Sequence, residues 1–266
     1  MFATLFAQEF RENGKKAAGL LGVALLVVAV SAGGVLLKIP LVSAGLKAVL
    51  VIASVAVPFV IVVQLASAYW TSMYGSRGYF THTIPARGRD LYWAKTLFAM
   101  LFGLLGQLFA AFGLLVFYIL MSREAGMSLA ESLRALIDIA GKTPTAVVAI
   151  FVVGLLLSLV QWVFGGAAVM SIGAEGRWNR QGFTVPAIGL VLLYLAGQVL
   201  SFLGMLLPGS IDLGTMSFSW GSMLADLRNG VENPHIGLGM IPMTLLLTIV
   251  LALFGIRSIE RRTSLR

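Results

Sequence analysis

The chain has no cysteine, only two histidines and little charge: Asp, Glu, Lys and Arg make up 11% of its 266 residues, where a soluble domain carries about 25%. Each scarcity excludes something. Without cysteine there is neither a disulfide nor a thiolate-bound metal. His82 and His235 are the only imidazoles, and both lie near charged or turn-forming residues, so a histidine-based metal or proton site at membrane depth is not expected. Paired carboxylates, a Gly-x-Ser-x-Gly elbow and serine–lysine pairs within apolar stretches are missing too. Proton transfer and metal ligation need ionisable groups. The chain is therefore expected to have no catalytic residue, no metal and no cofactor of its own, and to take its energy from elsewhere.

What it has in abundance is apolar sequence. Hydrophobic residues make up 59% of the chain and the mean hydropathy is +0.95. Six runs free of Asp, Glu, Lys and Arg cover residues 17–37, 48–73, 96–121, 146–172, 185–207 and 236–256. A helix of 21 residues rises about 31 Å, the thickness of a bilayer's hydrocarbon core. The expected fold is all-α, with six transmembrane helices forming one domain over residues 17–266. Residues 1–16, the 74–95 loop, the 173–184 loop and the tail from Arg257 together hold thirteen basic and five acidic residues; the alternate loops hold six of each. The excess positive charge thus falls on one face, which the positive-inside rule makes cytoplasmic, with both termini inside. In this setting the net charge of +8 points to a membrane surface and not to nucleic acid.

Before the first run, Phe2, Leu5, Phe6 and Phe10 recur at helical spacing, so residues 1–16 are expected to form an amphipathic helix in the headgroup region that turns into the first span at Gly14, Lys15 and Lys16. Val30-Ser31-Ala32 has the small-residue form of a cleavage site. The long apolar run and the acidic Glu9 and Glu12 before it predict retention as a span. Pro58 interrupts the second run and is expected to kink it. Single glutamines, Gln64, Gln107, Gln161 and Gln198, sit near the middle of four runs. A bare amide facing lipid is costly, so they either bond between helices or line a pathway. Gly103, Gly106 and Ala110, and Gly154, Gly165 and Gly166, are small enough for close helix packing.

Ser128-Leu129-Ala130-Glu131 fits a capping box, and Leu129, Leu133, Leu136 and Ile137 follow on one face, predicting an external amphipathic helix over about 128–140 that stops at Gly141. Gly141-Lys142-Thr143 is not a phosphate-binding loop, because the first glycine of that motif falls on Leu136. The 173–183 loop carries Arg177, Trp178 and Arg180, which serve as a contact for a soluble partner or as a membrane anchor. The last outer segment, 208–234, has an apolar side made of Phe218, Trp220, Met223, Leu224 and Leu227, and is expected to dip into the leaflet or cap a pathway.

The 74–95 loop is the most distinctive stretch. It reads Gly78-Tyr79-Phe80-Thr81-His82-Thr83-Ile84-Pro85-Ala86-Arg87-Gly88-Arg89, with Lys95 further on. Arg87, Arg89 and Lys95 place positive charge at the mouth of the third span, where lipid phosphates alone would attract it. The aromatic, threonine and proline pattern asks for more. It resembles the cytoplasmic segment of ABC-2 type transporter permeases, matching in Gly78, Tyr79, Thr81, Thr83, Pro85, Arg89 and Lys95 and departing at His82 and Gly88.

The resemblance implies a six-span half-transporter in a bacterial plasma membrane, paired with a second permease subunit and with ATPase chains that hold the ATP and magnesium. It implies a short coupling helix in which Tyr79, Phe80, Thr81, Thr83, Pro85, Arg87 and Arg89 meet the ATPase. The expected activity is export of a hydrophobic or amphipathic compound, such as a peptide antibiotic or drug. The alternatives are an immunity-type subunit that clears a membrane-active peptide, and a scaffold or sensor that transports nothing.

Overall fold

A computed structural model describes all residues except 38, 39, 177, 179, 180, 213–216, 231–234 and 263–266, and only the backbone of residues 40 and 41. The elements are α1 (Phe2–Glu9), a five-residue π turn (Phe10–Gly14), α2 (Lys15–Val35), α3 (Pro40–Met73), α4 (Gly78–Thr83), α5 (Gly88–Glu124), α6 (Leu129–Lys142), α7 (Thr145–Val160), a second π turn (Gln161–Gly165), α8 (Gly166–Gly173), α9 (Thr184–Met205), β1 (Ser210–Asp212), β2 (Ser217–Ser219), α10 (Met223–Asn229), β3 (His235–Gly237) and α11 (Met240–Arg261). Six stretches are long and apolar enough to cross a bilayer: Phe2–Val35, Val42–Met73, Gly88–Glu124, Thr145–Gly173, Thr184–Met205 and Met240–Arg261. The chain is an all-α, multi-pass membrane protein.

Helix ends depart from the charge-free runs because a charge ends an apolar run without ending a helix. α5 starts at Gly88 and carries Arg89, Asp90 and Lys95 in its first turns. α11 starts at Met240, four residues later than the uncharged run beginning at Ile236, because residues 235–237 are spent on a strand. The turn expected at Gly14 is not made. Gly14 is helical, and α1 continues through the π turn into α2.

The residues pack as two compact units, 1–69 with 97–142, and 70–96 with 143–266. In the first, Ala17 and Ala24 of α2 meet Val57, Ile61 and Leu65 of α3 and Phe98 and Phe102 of α5, and a second cluster joins Val28, Val35, Leu50 and Leu120. Phe10 sets its ring edge-on to Phe98 at 5.0 Å; such pairs add about 0.5–1.5 kcal/mol beyond their buried area. α3 runs on through Pro58, and Gly106 lies so close that a β-carbon there would sit 3.1 Å from Pro58 Cα. Lys47 and Glu124 form an ion pair at 2.5 Å. The capping box of α6 is present in full. Ser128 N–H donates to Glu131 at 2.7 Å and Glu131 N–H donates to Ser128 Oγ at 3.2 Å, so the helix starts where predicted and runs one residue past Gly141.

In the second unit α8, α9 and α11 pack on one another. A β-carbon on Gly255 would lie 2.7 Å from Ala168 Cα, which marks a close backbone approach of α11 to α8, and Ser258 Oγ donates to the Ser171 carbonyl across it at 3.0 Å. Between α9 and α11, the three strands form an antiparallel sheet in the order β2-β1-β3, with α10 beside it. Strands of three residues are too short to show an alternating pattern, and none was expected here. Asp226 of α10 accepts from His235 N–H at 2.6 Å and lies 2.6 Å from His235 Nδ1. The backbone bond first, then the imidazole, holds the Asp226 carboxyl below its usual range.

Candidate functional site: the α4 hairpin

Six residues are too few to hold a helix by cooperativity. α4 has no side-chain N-cap and is stopped at Ile84, whose extended backbone (φ −68°, ψ 130°) is what a following proline demands. What holds α4 is the end of α3. Helix α3 leaves its last carbonyls without intrahelical partners, and α4 supplies them: Thr81 Oγ1 donates to the Ser72 carbonyl at 2.6 Å, and His82 Nε2 lies 3.2 Å from the Met73 carbonyl. Lys95, from the second turn of α5, donates to Ser72 Oγ at 2.9 Å. The three segments are stitched at one residue pair, Ser72 and Met73.

This corrects the expectation for Lys95, which is buried and bonded to Ser72 and does not face lipid headgroups. His82 and Gly88 each have a structural role here. His82 carries a hydrogen bond that an apolar residue could not make. Burial, opposed in part by the Met73 bond, holds its imidazole pKa below the usual 6.5, so the ring sits neutral with its proton on Nε2. At Gly88 a β-carbon would lie 2.7 Å from Ile259 Cγ2 and 2.9 Å from Glu260 Cγ, so any larger residue would have to push these side chains aside for the start of α5 to come this close to the end of α11. Deeper in, Tyr92 is fully buried and its hydroxyl donates at 2.7 Å to the carbonyl of Phe164, within the second π turn.

With its inner side occupied in this way, α4 turns its aromatics outward. Tyr79 is 68% and Phe80 77% exposed, and Thr83, Pro85, Arg87 and Arg89 are exposed as well. Thr83 bonds only back to the Phe80 carbonyl at 2.8 Å, and Arg89 has a loose ion pair with Asp90 at 3.9 Å. Beside them a groove of about 340 Å³, lined by His82, Ile84, Arg87, Gly88, Leu91 and Glu260 among others, separates the α4–α5 link from the end of α11. No family model matches the chain, and no curated protein or solved structure is significantly similar to it.

Of the second expected contact loop, Trp178 is exposed, while Arg177 and Arg180 lie outside the described residues. The turn beside it is fixed to α11 by Gly176 N–H donating to the Arg262 carbonyl at 3.3 Å and by an Arg262–Glu175 pair at 3.6 Å, a contact that sequence spacing does not signal. The glutamines separate by unit. Gln64 and Gln107 belong to the first, where Gln64 Oε1 is buried with no hydrogen-bond partner among the described residues. Gln161 and Gln198 belong to the second and line one cavity.

Proposed function

We propose that this chain is the membrane permease subunit of an ATP-driven exporter of the ABC-2 type. It sits in a bacterial plasma membrane with both termini cytoplasmic, pairs with a second six-span subunit, and moves a hydrophobic or amphipathic compound outward with energy from a separate ATPase. One observation carries the reading: two large aromatics stand in solvent on a helix whose other side is bonded to the ends of α3 and α5. Exposing Tyr79 and Phe80 costs stability unless something covers them. A partner that grips these rings pulls on Ser72 and Met73 and so on α3 itself. The basic Arg87 and Arg89 beside the rings, and the groove ending at Glu260, suit a soluble partner with mixed charge.

The test is co-purification. The chain is expected to bring down an ATPase in about equal amount and to stimulate its hydrolysis. Tyr79→Ala with Arg87→Glu should weaken association by at least about thirtyfold, the loss that follows from removing an interface anchor worth about 2 kcal/mol. Association and stimulation left intact by that double change would remove the docking assignment. In the same cells, cysteine at Ser76 should react only from the cytoplasm and cysteine at Ser217 only from outside.

A further inference from the structure

The second unit contains a cavity that the docking argument does not use. It measures about 290 Å³, lies between α7, α9 and α11, and is lined by Ser158, Gln161, Tyr194, Gln198, Ser201 and Thr244 together with apolar residues. All three helices belong to apolar spans, and the lining is mostly apolar, yet six of its residues carry polar side chains and none carries a charge. Gln161 opens the second π turn, a widened piece of helix of the kind that recurs at binding sites. A β-carbon on Gly197 would collide with Gln161 Nε2, so the bare glycine makes the room in which that amide stands.

Ser201 Oγ and Thr244 Oγ1 satisfy each other at 3.2 Å. The amides of Gln161 and Gln198 have no hydrogen-bond partner among the described residues, and Gln198 is exposed. Amides left bare against lipid cost several kcal/mol each. Two of them on one cavity wall call for a polar occupant. An ionic headgroup would lose its hydration here without meeting a counter-charge, whereas a primary amide offers both donors and an acceptor to a neutral group. The position suits entry from the bilayer: Gln198 is seven residues from the end of α9 and Thr244 four from the start of α11, about 10 Å and 6 Å along the helices, on the side where both run into the strands.

We propose that this groove binds the neutral head of an amphipathic molecule, a group such as an amide that both donates and accepts hydrogen bonds, while the molecule's apolar tail stays in the membrane. The site stands on its own geometry and does not depend on which chain, if any, supplies ATP.

The test uses the full chain in phosphatidylcholine nanodiscs and tryptophan fluorescence, with Trp162 on the groove wall as reporter and Trp162→Phe as the blank. Three brominated probes share one dodecyl chain and carry a glycinamide, a phosphate or a trimethylammonium head. The glycinamide probe should quench Trp162 saturably, and the two charged probes should not saturate. Gln161→Leu with Gln198→Leu should weaken the glycinamide probe by at least about tenfold. Gly154→Phe, which fills the groove from a position with no neighbour within 4 Å, should weaken it likewise while leaving the polar groups in place. Whichever variant keeps the wild-type melting temperature decides. Equal saturation by all three probes, no saturation by any, or wild-type affinity in a folded variant would overturn the proposal. So would Ser158→Cys forming a disulfide between two copies that persists on dilution, since a second copy would then cover the groove.

Discussion

Helices α4 and α6 are both short and both lie outside the apolar spans, but they are held in opposite ways. α6 carries its own instructions: a reciprocal capping box closes its start, and fourteen residues give it several turns. It leaves Leu129, Leu133 and Ile137 exposed, a face suited to lying on a membrane. α4 has six residues and no side-chain N-cap, and it exists because Thr81 and His82 reach the carbonyls that α3 leaves open. A helix that stands on local interactions can ride loosely on its surroundings. One that forms only through bonds to a neighbour moves when the neighbour moves, and α4 is tied to the end of α3 in this way.

The comparison can be broken most severely at Ser72. Thr81→Val with Lys95→Met removes the bonds to the Ser72 carbonyl and hydroxyl, each worth about 1 kcal/mol. Amide exchange over residues 78–83 should rise by about thirtyfold, with α6 unchanged and any ATPase stimulation lost. Exchange that stays at the wild-type rate would mean that α4 is locally stable after all. A smaller effect is expected from the other side: Ser128→Ala should speed exchange in the first turn of α6 about fivefold, the usual consequence of a lost cap, without touching α4.

The smallest expected effect is one of pH. His82 has its folded pKa below the ordinary value, so its contribution is complete above about pH 6.5 and is lost as protonation begins below that, when the charged ring prefers water to its half-buried place. Lowering pH from 7.5 to 5.5 should loosen α4 measurably by exchange. Glu131 is also lowered, by its bonds to Ser128, but as a carboxylate it keeps its cap above the usual carboxylate range and loses it only as pH falls through the lowered value. α6 should therefore hold through the window in which α4 loosens. If both helices loosen together at pH 5.5, the His82 assignment is wrong.

Much of this could be read from residue order. The capping box at Ser128 and Glu131 was plain because both its partners lie within one turn. Lys95 was misplaced for the opposite reason: its partner, Ser72, is 23 residues away, and a lysine after two arginines reads as one more surface charge. The aromatic pattern at Tyr79 and Phe80 marked the exposed face of the candidate site. It gave no hint that Thr81 and His82 face inward, since threonine and histidine suit either environment. The strands around Ile211 were invisible because three residues are too few to show an alternating pattern.

Sequence alone determined that six stretches are apolar and long enough to cross a membrane, because desolvating charge and backbone is so costly that length and composition decide it. Tertiary structure alone decided which polar groups meet. Helices in a bilayer have no hydrophobic preference for one neighbour over another, so the bonds of Thr81 to Ser72 and of Tyr92 to Phe164 follow from fit and hydrogen bonding across the packed helices, and the placing of Gln161 and Gln198 on one cavity follows from fit alone.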